Sequence, residues 1–406
     1  MSISDDKQWQ MIPFQDCLDK IKMKKPRKLL ARDYKPSGKI PIIDQGQKYI
    51  AGWTNDDSVS IREQLPFILF GDHTRAFKYV NFPFALGADG TQLLKPSSDF
   101  NPRFFYYACL HLPLPSRGYN RHFSILKEQE IRRPPKPEQE RIAAVLWKIQ
   151  RAIETEEKLI ETARELKQSV MHQLFTRGLR GESQKETEIG PLPESWELRP
   201  FETLREFLQY GTSAKCGYHG KGNPVLRIPN IAEGRVNTGD VKWCELNKRE
   251  IVSYELELDD LIFIRTNGVR ERVGGCAVYR GQPKKALFAS YLIRARLKPE
   301  DITAAFFQYF SMTSGGSLQL AGRASPAADG KFNINTKTID SVLVPVPALP
   351  EQNEIVSILE AIDLKFCIHN HKYAILQELF KTMLHHLMTG QIRLADLDID
   401  VSEIQP

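Results

Sequence analysis

The chain has 406 residues, 41% hydrophobic and 26% charged, with a formal net charge of +6. That length exceeds one ordinary core and predicts two or three units of ~100–200 residues each. No run reaches the ~18 consecutive apolar residues of a membrane helix, and the acidic start MSISDDKQWQ lacks the basic and apolar regions of a secretory signal, so a cytoplasmic location is expected.

In chain order, a mixed segment spans residues 1–135. It contains seven cations in thirteen residues, Lys20, Lys22, Lys24, Lys25, Arg27, Lys28 and Arg32. They are enough to neutralise several phosphates, or to form a solvated face. The apolar run LPFILF (65–70) follows as a strand signal, and NPRFFYYACL (101–110) reads as an aromatic helix. From Pro137 a helix-periodic stretch reaches residue 180, within a helical region at 136–180. The polar, Gly- and Pro-containing segment 181–195 reads as a linker that enters a new unit at Trp196. A second mixed segment, 196–345, carries strand signals in NPVLRIPNI (223–231), DLIFIRTNG (260–268) and FASYLIRARL (288–297), then a helix at ITAAFFQYF (302–310). A second helical region at 346–395 and a tail at 396–406 close the chain.

The two helical stretches are copies. The sequence from Pro137 aligns without gaps on the sequence from Pro350 at a constant offset of 213, with identities at Glu138/Glu351, Gln139/Gln352, Ile142/Ile355, Leu146/Leu359, Leu166/Leu379, His172/His385 and Arg180/Arg393. Both carry a 4-3 apolar spacing: Ile142, Leu146, Ile149, Ile153, Ile160, Ala163, Val170 and Leu174 in the first, Ile355, Leu359, Ile362, Phe366, Tyr373, Leu376, Phe380, Met383 and Leu387 in the second. That is the spacing of a coiled-coil seam. Proline fits the first turn of a helix, where its missing N–H is no loss, and acidic residues suit the positive helix end. Glu156 and His369 interrupt the seam at equivalent positions. If the helices pack antiparallel about a pseudo-twofold axis, these two meet at the crossing, where a polar pair would fix register.

The fold class expected is therefore α+β, with two globular α+β domains separated by an antiparallel coiled coil of two long helices in a pseudo-twofold, circular internal repeat. Signs of chemistry are absent from the sequence. The three Gly-Lys pairs at Gly38, Gly220 and Gly330 have Asp33, Lys215 and Ser325 where a phosphate loop needs its first glycine. Asn101-Pro102-Arg103-Phe104 has Arg in place of the second proline of an adenine methyltransferase tetrapeptide and reads as a helix start. Asp259 and Asp260 lack a Glu-x-Lys partner and read as a solvated turn rather than a nuclease metal site. The His369/His371 and His385/His386 pairs lie on a helix without nearby Cys, so no metal site is expected. Six cysteines at least 28 residues apart read as buried free thiols.

In this order, PKPEQERI (135–142) and ALPEQNEI (348–355) opening the helices, GPLPESWE (190–197) opening the second globular segment and LMTGQIRL (387–394) at the end resemble the specificity subunits of type I restriction-modification systems, over nearly the full length. IPIIDQGQKYIAGWT (40–54), ILFGDHTR (68–75) and VLRIPNI (225–231) are similar to segments of the same family. The resemblance implies that 1–135 and 196–345 are target recognition domains, each reading half of a bipartite duplex DNA site, and that the regions at 136–180 and 346–395 are the family's conserved helices, which set the unread spacer. It implies two modification subunits that use S-adenosylmethionine, motor-nuclease subunits that use ATP and magnesium, and no cofactor or catalysis in this chain. A free-standing DNA-binding or architectural protein is the alternative, and would show no affinity for a methyltransferase subunit.

Base reading needs polar forks, since Arg pairs bidentately with guanine and Asn or Gln with adenine, while cations meet phosphates. In the first domain the candidates are Gln45 and Gln47 in the IIDQGQ loop, His73, Thr74 and Arg75 after ILFGD, and Arg121 and His122. In the second they are Thr212, Ser213, Lys215, Tyr218 and His219 in GTSAKCGYHG, the strand-end set Arg265, Thr266, Asn267 and Arg270, and Arg323 and Lys331 as phosphate clamps. Structural turn roles remain open for each, and Asp72 reads as orienting its neighbours.

Overall fold

A computed structural model describes residues 9–23, 26–87, 90–115, 122–218 and 220–402. The chain divides into two compact units, one of residues 1–158 with 369–406, the other of residues 159–368. Among the described residues, no helix is long and apolar enough to cross a membrane.

The two long helices run Lys136–Arg177 and Leu349–Thr389, each beginning one residue before its proline. Each gives its first half to one unit and its last half to the other. Between residues 156 and 170 of the first helix the positions that are not exposed fall at 156, 160, 163, 167 and 170, a spacing of four and three. Within the first unit the segments are antiparallel: Glu138 meets Arg393 at 2.8 Å and Glu156 meets His369 at 2.6 Å. Within the second, Lys167 meets Asp363 at 2.6 Å and the Glu351 carboxylate accepts the Leu179 N–H at 3.2 Å. Lys167 thus occupies a seam position that apolar spacing alone passes over.

The first unit sets Ile40–Ile43 parallel to Phe84–Leu86 in a four-stranded sheet, beside the antiparallel trio Phe77–Val80, Phe67–Gly71 and Thr91–Leu94. The second unit repeats the scheme, with Asn223–Leu226 parallel to Leu287–Phe288 and an antiparallel set containing Leu261–Ile264, Cys276–Val278 and Leu292–Leu297. A two-stranded ribbon closes each unit, Gln10–Pro13 with Glu130–Arg133 and Glu197–Pro200 with Leu343–Val346. Alternation of apolar and polar residues is weak in Phe67–Gly71 and Leu261–Ile264 because both are buried throughout.

An aromatic helix links each sheet to a long helix. In Pro102–His111, the Asn101 side chain caps the Arg103 and Phe104 N–H groups, so the tetrapeptide there is a helix start. In Ala304–Ser311 the cap is Thr303. The buried Gln139 accepts the Asn101 N–H at 2.7 Å and donates to the carbonyls of Asp99 and Pro134; the buried Gln352 accepts the Thr303 N–H at 2.9 Å and donates to those of Asp301 and Pro347. Tyr107 donates to Gln150 at 3.0 Å, and Tyr309 to Asp363 at 2.8 Å. The duplicated Pro-Glu-Gln motif is therefore a clamp, since a primary amide supplies both the acceptor and the donors that a helix start and a chain turn leave over.

Three expectations change. The stretch 181–195 folds as a hairpin of Gln184–Thr187 with Gly190–Pro193, its turn closed by Gly190 at φ 106°. Asp260 is fully buried, gripped at 2.9 and 3.0 Å by Arg296, rather than part of a solvated turn; Asp259 alone is outside, at φ 66° and paired with Arg280. Of the six free cysteines, Cys216 is half-buried and Cys367 exposed, while the other four are buried.

Candidate nucleic-acid interface

In the first unit the IIDQGQ loop leaves the strand Ile40–Ile43 and is pinned from beneath by Lys78. Its ammonium, 4% exposed, donates to the carbonyls of Asp44 at 2.8 Å and Lys48 at 2.5 Å, with the Asp44 carboxylate at 3.8 Å. Burial lowers the affinity of this amine for its proton, and the Asp44 charge opposes that. The Asp44 carboxylate also accepts the Gly46 N–H at 2.8 Å, an Asx turn that fixes the loop tip.

Onto this loop the turn after Phe67–Gly71 is tied. The Thr74 hydroxyl donates to the Gln45 carbonyl at 2.6 Å, and the Gln45 amide oxygen accepts the His73 N–H at 3.3 Å. Arg75 holds φ 60°, donates its N–H to the Gly71 carbonyl, and reaches the Leu114 carbonyl with Nη1 at 2.8 Å. The structure thus brings Gln45, His73, Thr74 and Arg75 together and leaves Gln47 exposed beside them. His122 is enclosed at 0% exposure, its ring bonded to the Asp72 carbonyl at 2.9 Å. It is a positioning residue rather than a DNA contact. Asp72 accepts the Phe123 N–H at 2.7 Å and so caps the helix Phe123–Lys127. Arg121 lies outside the described residues. Lys20, Lys22, Arg27 and Arg32 of the basic segment are exposed, whereas Lys28 donates to the Thr91 carbonyl at 3.0 Å; Lys24 and Lys25 lie outside the described residues.

In the second unit, Thr212 is buried at 5% exposure and its hydroxyl accepts the Ala214 N–H, so it shapes the start of the loop instead of facing outward. Ser213, Lys215 and Tyr218 are exposed, the last at 67%. His219 lies outside the described residues. The Tyr218 ring has the Lys242 ammonium 5.1 Å and the Arg227 guanidinium 5.7 Å from its centre, and Asp240 accepts from both Tyr218 and Arg227.

The strand-end set forms a second cluster. Arg265 lies 4.8 Å over the Tyr210 ring and donates to the Ser290 carbonyl at 3.2 Å; Ser290 in turn donates its N–H to Thr212. Thr266 and Asn267 pair with Asn333 and Phe332, and the Asn267 side chain accepts the Val269 N–H. Arg270 donates to the carbonyls of Ala321 and Gly322, tying down the loop that carries Arg323 and Lys331. Arg323 reaches Ser341, and Lys331 is ion-paired with Asp329 at 2.7 Å, which raises the lysine above its ordinary value. Sequence reasoning missed Tyr210, Arg227, Lys242 and the 57% exposed Tyr291. Tyr210 ends the strand Arg205–Tyr210 and Tyr291 stands just before Leu292–Leu297, so a tyrosine at a strand end was the signal available. Among the described residues, no group of three or more His, Cys, Asp or Glu is placed to hold a metal ion.

Loops of neutral forks and cations, pinned by buried polar side chains, suit an anionic ligand with readable edges. The family model for the type I restriction modification DNA specificity domain matches residues 6–165 and 195–379. The chain is 32% identical over 161 residues to the type I restriction enzyme EcoKI specificity subunit of Escherichia coli K12, covering 39% of this chain and 34% of that one. It is 26% identical over 282 residues to the MjaVIII specificity subunit of Methanocaldococcus jannaschii, covering 68% and 64%. These matches span from a third to just under two thirds of the relatives' own lengths. The fold is similar to that of the S subunit of a type I restriction-modification system from M. genitalium, with a TM-score of 0.63, 19% identity, and 96% of this chain and 98% of that one covered. The chain belongs to the family of type I restriction-modification specificity subunits.

Proposed function

We propose that this chain reads a bipartite site on duplex DNA as the non-catalytic subunit of a type I restriction-modification complex in the cytoplasm. Each recognition domain takes one half-site, and the long helices set the spacer and dock two modification subunits. S-adenosylmethionine is bound by those modification subunits, ATP and magnesium by motor-nuclease subunits, and no cofactor by this chain.

One observation carries the reading. The contacts that anchor each recognition domain to its helices are duplicated residue for residue, Gln139 with Gln352 and Tyr107 with Tyr309. The outward loops, with Gln45, Gln47 and Arg75 in one unit and Ser213, Lys215, Tyr218 and Arg265 in the other, share no such match. A repeated scaffold with divergent polar loops is what two different half-sites require.

The test is co-expression with a modification subunit, followed by sequencing that maps methylated adenines. A bipartite motif with a fixed gap, lost when the loop residues of either domain are replaced, supports the proposal. A complex without a methylated motif overturns the reading of a bipartite site, and no complex at all overturns the proposal in favour of a free-standing DNA-binding protein.

A further inference from the structure

The loop at 211–218 has two thiols at its base, Cys216 of the loop and Cys244 of the strand Lys242–Cys244. Gly217 and Trp243 exchange both backbone hydrogen bonds, at 2.9 and 2.7 Å, as an antiparallel bridge. One step along that register Cys216 stands opposite Cys244. In an antiparallel ladder the neighbour of a hydrogen-bonded pair is a non-hydrogen-bonded pair, with Cα atoms ~4.5 Å apart and both side chains on one face. Disulfides span Cα separations of ~4.4–6.8 Å, a range that includes the separation of such a pair. Both residues belong to one small apolar cluster with Val225, Leu287 and Ala289. Their sulfurs lie beside successive carbonyls, Cys216 Sγ 3.3 Å from that of Ala214 and Cys244 Sγ 3.8 Å from that of Lys215. Burial pushes the Cys244 thiol up to about 11, and the neighbouring Cys216 adds to that shift. Cys216 is half-buried and Cys244 buried, so one thiol of the pair is open to a small reagent and the other is held behind it.

We propose that Cys216 and Cys244 form an oxidisable cross-strand dithiol, a modification site whose closure as a disulfide locks the loop bearing Ser213, Lys215 and Tyr218. The oxidant is a peroxide. The Cys216 thiolate attacks one peroxide oxygen, breaking the O–O bond and giving a sulfenic acid and water. The Cys244 sulfur then displaces the sulfenic hydroxyl as a second water, and the S–S bond forms. Two thiols lose two electrons and two protons, and one hydrogen peroxide becomes two water molecules. A thiol reductant reverses the step. The consequence for DNA rests on the function proposed above, whereas formation of the bond does not.

The experiment treats the full chain, alone or with its modification subunits, with stoichiometric hydrogen peroxide, followed by alkylation and non-reducing peptide mass spectrometry. The expected result is loss of alkylation at both positions and a linked Cys216–Cys244 peptide that dithiothreitol removes. Cys216→Ser and Cys244→Ser each abolish the link, and Cys367→Ser leaves it in place. Persistence of both free thiols while Cys367 is oxidised, or over-oxidation of Cys216 without a link, overturns the dithiol. Duplex DNA affinity of the oxidised and reduced forms is then compared. A change of threefold or more that Cys216→Ser eliminates is expected. A linked protein with unaltered DNA affinity overturns the loop's part in reading while leaving the dithiol standing.

Discussion

Arg265 commits one guanidinium N–H to the Ser290 carbonyl and stacks 4.8 Å over Tyr210, which orients the remaining donors of its planar fork. Replacing it by alanine is expected to weaken binding by ~1–3 kcal/mol and to relax one base of the second half-site, measured by binding to a set of single-base variants. Lys215→Ala, at an exposed amine that lacks the planar fork of arginine, should instead weaken all sequences alike and lower the salt slope of binding by about one. A position-specific loss for Lys215→Ala would reverse these assignments. Residue types in the loops were legible from sequence because turn chemistry and cations stand out. Their orientation was not, since Thr212 and His122 are the same residue types as Thr74 and His73 of the loop cluster yet are held inside by the Ala214 N–H and the Asp72 carbonyl. Asp260 was misread for a related reason. Its partner Arg296 lies on the antiparallel strand Leu292–Leu297, a pairing that no local pattern announces. Asp260→Asn should destabilise the second unit by ~3–5 kcal/mol in denaturant unfolding, because the buried Arg294 would lose its carboxylate and Arg296 would keep only the exposed Glu257.

The helix-opening clamp is the element whose sequence signal was strongest, since two copies at a fixed offset reveal a shared environment before any contact is known. What the repeat could not show is which surface each glutamine faces, since that depends on the aromatic helix packed against it. Gln139→Ala strips the half-buried Asn101 N–H and the carbonyls of Asp99 and Pro134 of their partners, and should lower the stability of its unit by ~1–3 kcal/mol per group left unsatisfied, read by calorimetry. Gln352→Ala should do the same to the other unit, and the two costs should add. The glutamate before it has a different task. For Glu138, burial would raise the carboxyl, but hydrogen bonds from Arg393 and from the Leu394 N–H outweigh it and hold the group below its ordinary value. A group depressed in the folded state stabilises above the ordinary glutamate range and loses that contribution as pH falls through its folded value. The first unit's melting temperature is therefore expected to drop on acidification below about pH 4, the ordinary glutamate value, with Glu138→Gln flattening that limb of the profile; an unchanged limb would place the acid sensitivity elsewhere.

At the scale of the molecule, the interrupting residues of the two helices meet in a polar contact, His369 Nδ1 at 2.6 Å from Glu156, with Lys372 at 3.9 Å. Leucine at both positions should keep or raise thermal stability while broadening the gap of the methylated motif to more than one length, because a seam without that polar pair tolerates slippage. A single unaltered gap in the methylation map would remove any register role from the pair. The division of the long helices also dictates an order of events during synthesis. The second unit is one uninterrupted stretch of chain, residues 159–368, whereas the first is completed only by residues 369 onward. Its closing ion pair, Arg393 with Glu138, joins groups 255 positions apart. A ribosome therefore releases a second unit able to finish folding while the earlier-made domain still lacks the strip that seats Leu387, Met388 and Leu394 against Phe105, Ile142 and Leu146. The amino-terminal half of this protein is born first and matures last, and a chain ending at Ile368 should retain one melting transition and lose the other.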